Sequence, residues 1–514
     1  MTACTNTGNF PGFDQPWLWR PLAIAWLLSA LGMFGCAPGP STIHPRHVAA
    51  KPAASSSSAP FDWRSEVPKP GAPAEVQFPT PTVTRLDNGF SVITALRNSG
   101  PAVLRLVVRH GASDVALRHS GLAALVTRMM TEGTVNKSSL ELAEAAESLG
   151  STLQDDAQRD AISLELDTLP SDMEAGIELL AEVLREPAFS RREFTRVRKE
   201  WLDQLTAARQ VPMHAASLVA MRSVLGPALG APVEGRRSEV RGLTVRDLHR
   251  WHRRYVVPEA TALLAVGPID EGRVISVARR VFGTMAPTDA PAPRPAELPS
   301  APNRTTVYLL DRPGATQSAL FVVQTFPRRA EAGYESRRLL SDILGGLFTS
   351  RINQNLRERH AYTYGARSSV VATRQFGLFT VTTSVKTNAT AAALGQLILE
   401  LRQVGDARAH RSITEDELGR ARSDLIHALG AHLERGSTEA DDLQTAFVYE
   451  LANDYYAELA SKLRLITLSE VDAQVPLLSP SQLSVALVGD RAAVESNLVG
   501  AGFTVVPVPE TWLD

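Results

Sequence analysis

An internal repeat constrains this chain more than any other feature of its sequence. "LTVRDLHRWHRRYVVPEATALLAVGPID" lies mid-chain and "ITLSEVDAQVPLLSPSQLSVALVGDRAA" near the end. Each reads as a capped helix, a proline, an alternating apolar strand and a glycine turn, in the same order. Pro258 and Pro480 are 222 positions apart, as are Gly267 and Gly489, and "EFTRVRKEWLDQL" from Glu193 matches "ELGRARSDLIHAL" from Glu417 at an offset of 224. Two matches at nearly one offset predict a duplicated domain. The proline-rich stretch "APTDAPAPRPAELPSAPNR", residues 286–304, reads as the linker between the copies. The expected domains are therefore 81–285 and 305–514, and 514 residues that are 44% apolar suffice for two cores.

Each half reads as strands, a helix, strands, helices and a closing strand. In "VTRLDNGFSVITAL" the Asp-Asn-Gly between alternating runs signals a hairpin, and "AVLRLVVRHG" continues as a strand. Helical spacing covers "GLAALVTRMMTEG" and "SSLELAEAAESLG", the second opened by a Ser cap and closed by Gly150. Strand-like "DAISLELDTL" precedes long helices from Ser171 to about Arg209. The fold class is α+β, with a mostly antiparallel sheet and packed helices in each half.

The first 36 residues read as a targeting segment: "PLAIAWLLSALGMFGC" is apolar, too short to cross a bilayer, and ends like a lipobox at Cys36, the expected lipidation site. Residues 37–80, rich in Pro, Ser and Ala, read as a flexible tether. The expected location is the bacterial cell envelope, on the periplasmic side, with a lipid anchor. Cys4 and Cys36 are the only cysteines, so the folded part has no disulfide framework, thiol nucleophile or cysteine zinc site. With 53 basic and 55 acidic residues the chain has no electrostatic footprint for nucleic acid, and the run "RGLTVRDLHRWHRRY" reads as one helix with a basic, solvated face.

"GLAALVTRMMTEGT", residues 121–134, has the frame of an inverted zinc-peptidase helix: a small-residue start, an apolar helical run and a Gly-Thr exit. Together with the duplication it resembles the pitrilysin or insulinase family, and above all that family's two-domain, mitochondrial-processing-peptidase-like branch, from about Val83 to the C-terminus. The resemblance implies an H-x-x-E-H site. Its first histidine falls on Ala124, its glutamate on Thr127, its second histidine on Arg128, and the later carboxylate ligand on Gln204. None of these can serve, and a permanently charged guanidinium repels a divalent cation. This chain is therefore expected to bind no metal. The helix is expected to persist for its packing, with Leu125, Val126, Met129 and Met130 buried. His110 and His119, His249 and His252, and His427 and His432 lack carboxylates at ligand spacing and read as solvated or packed side chains. No phosphate loop, G-x-S-x-G elbow or EF-hand pattern occurs.

The second half resembles the family differently. "ILGGLFTSRINQNLRERHAYTYGARSSV" matches the segment whose arginine and tyrosine face the zinc site across the chamber; here they are Arg351 and Tyr364. The resemblance implies that Arg351 donates to substrate carbonyls and that Tyr364 stabilises a developing oxyanion. In the family's two-subunit members one chain carries the zinc motif and its partner the Arg/Tyr pair. This chain has the partner's features. The expectation is a non-catalytic subunit that positions peptide or unfolded polypeptide substrate for a zinc-bearing paralogue. The alternative is a stand-alone lipid-anchored protein with a peptide-binding or assembly role.

Overall fold

The computed structural model describes residues 78–289, 297–404 and 412–514. The expected targeting segment, Cys36, nearly all of the tether and the middle of the linker lie outside them.

The first sheet starts from local turn chemistry. Asp87-Asn88-Gly89 joins β1 (Thr82–Arg85) to β2 (Ser91–Leu96), which pair antiparallel from Thr82↔Thr94 to Arg85↔Ser91. Gly89 supplies a φ of +92°, and the Asn88 amide donates to the Phe282 carbonyl at 2.8 Å, tying the turn to a distant helix end. With β3 (Ala102–Val108), β4 (Gln154–Ala157), β5 (Ile162–Thr168) and β6 (Thr261–Gly267) the order is β1-β2-β6-β3-β5-β4.

The second sheet uses β7 (Thr306–Asp311), β8 (Gln317–Phe326), β9 (Thr363–Ala372), β10 (Gly377–Lys386), β11 (Ser484–Gly489) and β12 (Thr504–Val508), in the order β12-β7-β11-β8-β10-β9. Five positions match strand for strand. The sixth differs: β1 comes from the start of its half and runs antiparallel to β2, whereas β12 comes from the end and runs parallel to β7. Both sheets are mixed and mostly antiparallel, in an α+β architecture.

The central strands are buried on both faces, so each sheet needs two covers. Leu104, Leu106 and Val108 face their own half's helices, including Leu122–Met130 and Met173–Arg185. Val103, Val107 and Leu264, on the opposite face, pack against Ala440, Leu443 and Val448 of helix Gly436–Val448, which belongs to the second half of the chain. Reciprocally, Ala319, Phe321 and Val323 of β8 are covered by Ala215, Ala216 and Val219 of helix Pro212–Leu229, from the first half. The two lent helices occupy equivalent places in the repeat. Chain-order boundaries thus describe the sheets but not these two helices, which are exchanged.

Buried charge pins the exchange. Arg105 on β3 pairs with Glu165 directly across on β5 and, at 2.6 Å, with Asp441 of the lent helix. Arg97 binds Glu439 at 2.6 Å and the Leu433 carbonyl at 2.7 Å. In the second half's β9–β10 turn the Arg374 amide donates to Asp160 at 2.9 Å, and the Tyr449 hydroxyl reaches the same carboxylate at 3.2 Å. Removing one member of such a buried pair costs about 3–5 kcal/mol.

Candidate functional site

Helix Leu122–Met130 begins at Gly121, whose φ is +85°. A Cβ there would stand 2.6 Å from the Glu234 carbonyl oxygen, so the position admits only glycine. The second half repeats the device: Gly333, φ +87°, opens helix Tyr334–Ser341. Leu125, Val126, Met129 and Met130 are fully buried, as their spacing predicts, and the helix packs on helix Val245–Tyr255 and on β4.

The four positions implied as a zinc site hold no ligand set. Ala124 is buried and has no donor atom to offer. Thr127 is buried with its hydroxyl committed to the Ala123 carbonyl at 2.9 Å. Gln204 is exposed on helix Arg191–Ala208, whose inward side chains are Phe194, Val197 and Ala208. Arg128, 41% exposed, lies between two carboxylates: it pairs with Glu132 at 2.8 Å and with Asp155 of edge strand β4 at 3.3 Å. Glu132 is buried and is bound in addition by Arg196. Burial raises the Asp155 carboxyl above its ordinary range, and Arg128 pulls it part of the way back.

A protein cation therefore sits between these two carboxylates. One cationic donor group and one spent hydroxyl do not fit zinc, which requires anionic or neutral ligand atoms. Among the described residues no group of three or more His, Cys, Asp or Glu side chains is arranged to hold a metal ion.

The histidines divide between packed and solvated side chains. His110 is buried against Tyr255 and pairs with Asp114 at 3.1 Å. His252 contacts the Leu184 carbonyl at 2.7 Å through Nε2, and burial lowers its pKa. His432 meets Asp442 at 3.3 Å, while His249 and His427 are exposed.

In the second half, Arg351 opens a helical turn with Ser350 at the N-cap position, the Ser350 hydroxyl accepting from the Asn353 side-chain amide at 3.2 Å. Its guanidinium is only 11% exposed and forks onto Glu417, Nε and Nη2 each donating at 2.7 Å, with Nη2 also reaching the Ser412 carbonyl at 2.9 Å. Arg351 and the Thr414 cap hold the Glu417 carboxyl below its usual range, against the rise that burial alone would cause. This pair borders a cleft of about 620 Å³, lined also by Gln354, Asn355, Glu400 and Arg420.

Tyr364, near the start of edge strand β9, is 94% exposed. Asn353 links the two places: its amide donates to the Ala366 carbonyl at 3.0 Å and its Oδ1 accepts from the Ala366 N–H at 2.8 Å. Two π-helical stretches, Asp342–Gly346 and Gln354–Arg359, flank the Arg351 turn. Phe348 is exposed between them, under the Arg357 guanidinium. The structure thus holds Arg351 in a cleft and presents Tyr364 to solvent. Glu417, Asn353 and Glu400 were not foreseen as part of this site; only the Thr414-x-x-Glu417 capping signature marked one of them.

The family description "Insulinase (Peptidase family M16)" matches residues 93–228, and "Peptidase M16 inactive domain" matches residues 242–425. An uncharacterised zinc protease of Mycobacterium tuberculosis is 24% identical over 432 residues, covering 81% of this chain and 94% of its own length. One of Streptomyces coelicolor is 23% identical over 345 residues, covering 66% and 74%. Mitochondrial cytochrome b-c1 complex subunit 1 of Bos taurus is 23% identical over 221 residues, covering 42% and 45%. Among solved structures, a peptidase M16 inactive domain from Pseudomonas fluorescens superposes with a TM-score of 0.74 at 21% identity, covering 80% of this chain and 98% of its own.

Proposed function

Because this chain belongs to the insulinase (M16) family of peptidases, we propose that it is the non-catalytic subunit of a zinc-dependent peptidase pair, working beside a zinc-bearing paralogue. The observation that carries this reading is the replacement of the ligand positions inside a preserved helix, with Arg128 neutralised by Glu132 and Asp155. A helix kept for packing while its metal chemistry is gone suits a subunit whose partner supplies the metal-bound water and its base. Zinc belongs to the partner, and this chain binds none.

In this reading Tyr364, free in solvent on an edge strand, meets the substrate carbonyl and the negative charge that develops on it. Arg351 acts from the cleft, its bidentate hold on Glu417 fixing the segment that leads to Tyr364. The substrate is a peptide or an unfolded polypeptide. Cys36 carries a lipid that keeps the assembly at the periplasmic side of the cell envelope.

The test is reconstitution with a zinc-bearing M16 chain, assembly being followed by gel filtration and turnover with a quenched peptide. Tyr364→Phe removes one oxyanion donor and is expected to lower turnover about a hundredfold, roughly 3 kcal/mol, with assembly intact. Arg351→Ala is expected to act in the same direction. Variant pairs that assemble and cleave at the parental rate refute the shared site. A second reading, a scaffold in a larger assembly, is favoured by the likeness to a cytochrome b-c1 complex subunit, and that result would select it.

A further inference from the structure

From the charge on helix Val245–Tyr255 we infer that this helix is a docking face for an anionic membrane surface. Arg246, His249, Arg250, Arg253 and Arg254 are all exposed. At about 100° per residue they fall within an arc of roughly 140° on one side of the helix. Leu248 and Trp251 point the other way into the core, and the Thr244–Asp247 capping box sets the helix start. The face is therefore rigidly mounted. Among the described residues Arg246 and Arg253 have no hydrogen-bond or ion-pair partner. Asp247, the one carboxylate on the helix, is already taken by Thr244 and by Arg250 at 3.4 Å. Next to it the exposed Arg241 adds charge, and Arg198 is fixed by the Leu243 carbonyl at 2.9 Å.

The duplication provides an internal control. The equivalent helix of the second half, Leu468–Asp472, carries Glu470 and Asp472 and no basic residue. Four arginines at the same place in the first half are therefore not a requirement of the fold. Nor do they follow from composition, since the chain's net charge is −2.

The arc contains no apolar side chain, which suits a plane of diffuse negative charge better than an apolar binding site. Residues 37–77 separate the expected lipid site, Cys36, from Phe78, the first described residue, so a chain lipidated there is tethered to the kind of surface this helix would meet. This inference does not rest on the peptidase reading.

The test uses the full chain with Cys36→Ser, so that no lipid anchors it, and vesicles of phosphatidylcholine with or without phosphatidylglycerol. Co-sedimentation is expected only with the anionic vesicles and is expected to be lost at high salt. The quadruple variant Arg246→Gln, Arg250→Gln, Arg253→Gln, Arg254→Gln is expected to bind at least about a hundredfold more weakly, each basic residue at such a surface contributing roughly fivefold. A control that removes Arg359, Arg402, Arg435 and Arg464 in the same way is expected to bind like its parent. Equal binding by the two quadruple variants overturns the proposal, and so does parental binding that ignores phosphatidylglycerol or salt. Tighter binding of the parent to polyglutamate than to anionic vesicles overturns it in favour of an acidic protein partner. Should the first variant unfold at a lower temperature, the parent's lipid and salt dependence still decides.

Discussion

Replacing Arg105 with methionine tests the pinning of the exchanged helix. The Arg105 side chain is 8% exposed and contacts four groups of unequal burial: Glu165, 12% exposed, Asp441, 47% exposed, and the Ser437 carbonyl and buried Gln444 Oε1, each at 3.3 Å. Asp441 can turn to water, so its loss of a partner costs little. Glu165 cannot. Burial already raises its carboxyl above the ordinary range, even with Arg105 pulling it down. Leaving it unpaired is expected to destabilise the fold by about 3–5 kcal/mol. For a domain of this size that lowers the melting temperature by roughly 10 °C.

The pH dependence has a definite sign. With its folded pKa above its unfolded value, Glu165 binds more protons in the folded state between the two. Stability then rises as pH falls through the folded value towards about 4.3. The deficit of Arg105→Met is therefore largest at neutral pH and shrinks in mild acid. Adding Glu165→Leu, which makes the cross-strand pair apolar, is expected to restore stability to within about 1 kcal/mol. Calorimetry of the two variants across that pH range is the assay. A single variant that melts with its parent, or a double variant that melts with the single one, refutes the account of the seam.

The remaining expectations are simpler to check. Gly121→Ala combines a left-handed φ of +85° with a 2.6 Å approach to the Glu234 carbonyl, so a loss of at least about 2 kcal/mol is expected in denaturant unfolding. Elemental analysis of the purified chain is expected to find no stoichiometric zinc, and a quenched peptide is expected to stay uncut; about one zinc per chain, removable together with a peptidase activity, refutes this. Cys36→Ser is expected to release the chain from membranes washed at high salt, and unchanged recovery after that wash counts against the lipid anchor.

Sequence by itself determined what depends on neighbours along the chain. The Asp87-Asn88-Gly89 hairpin, the Ser138 capping box and the buried stripe of Leu125, Val126, Met129 and Met130 all stand where spacing and turn chemistry put them. The absence of zinc-ligand atoms at positions 124, 127 and 128 is equally a matter of residue identity. Tertiary structure alone decided the partners. Periodicity tells that helices Pro212–Leu229 and Gly436–Val448 must bury residues, but an apolar stripe carries no address, and each helix covers the sheet of the other half. The charge on Arg128 and Arg351 is written in the sequence, while its neutralisation by Asp155 and Glu417, 27 and 66 positions away, is not. Tyr364 reads equally well as a packed or a projecting strand residue. Its place at the register break between β9 and β10, on a strand with a neighbour on one side only, leaves the ring in solvent.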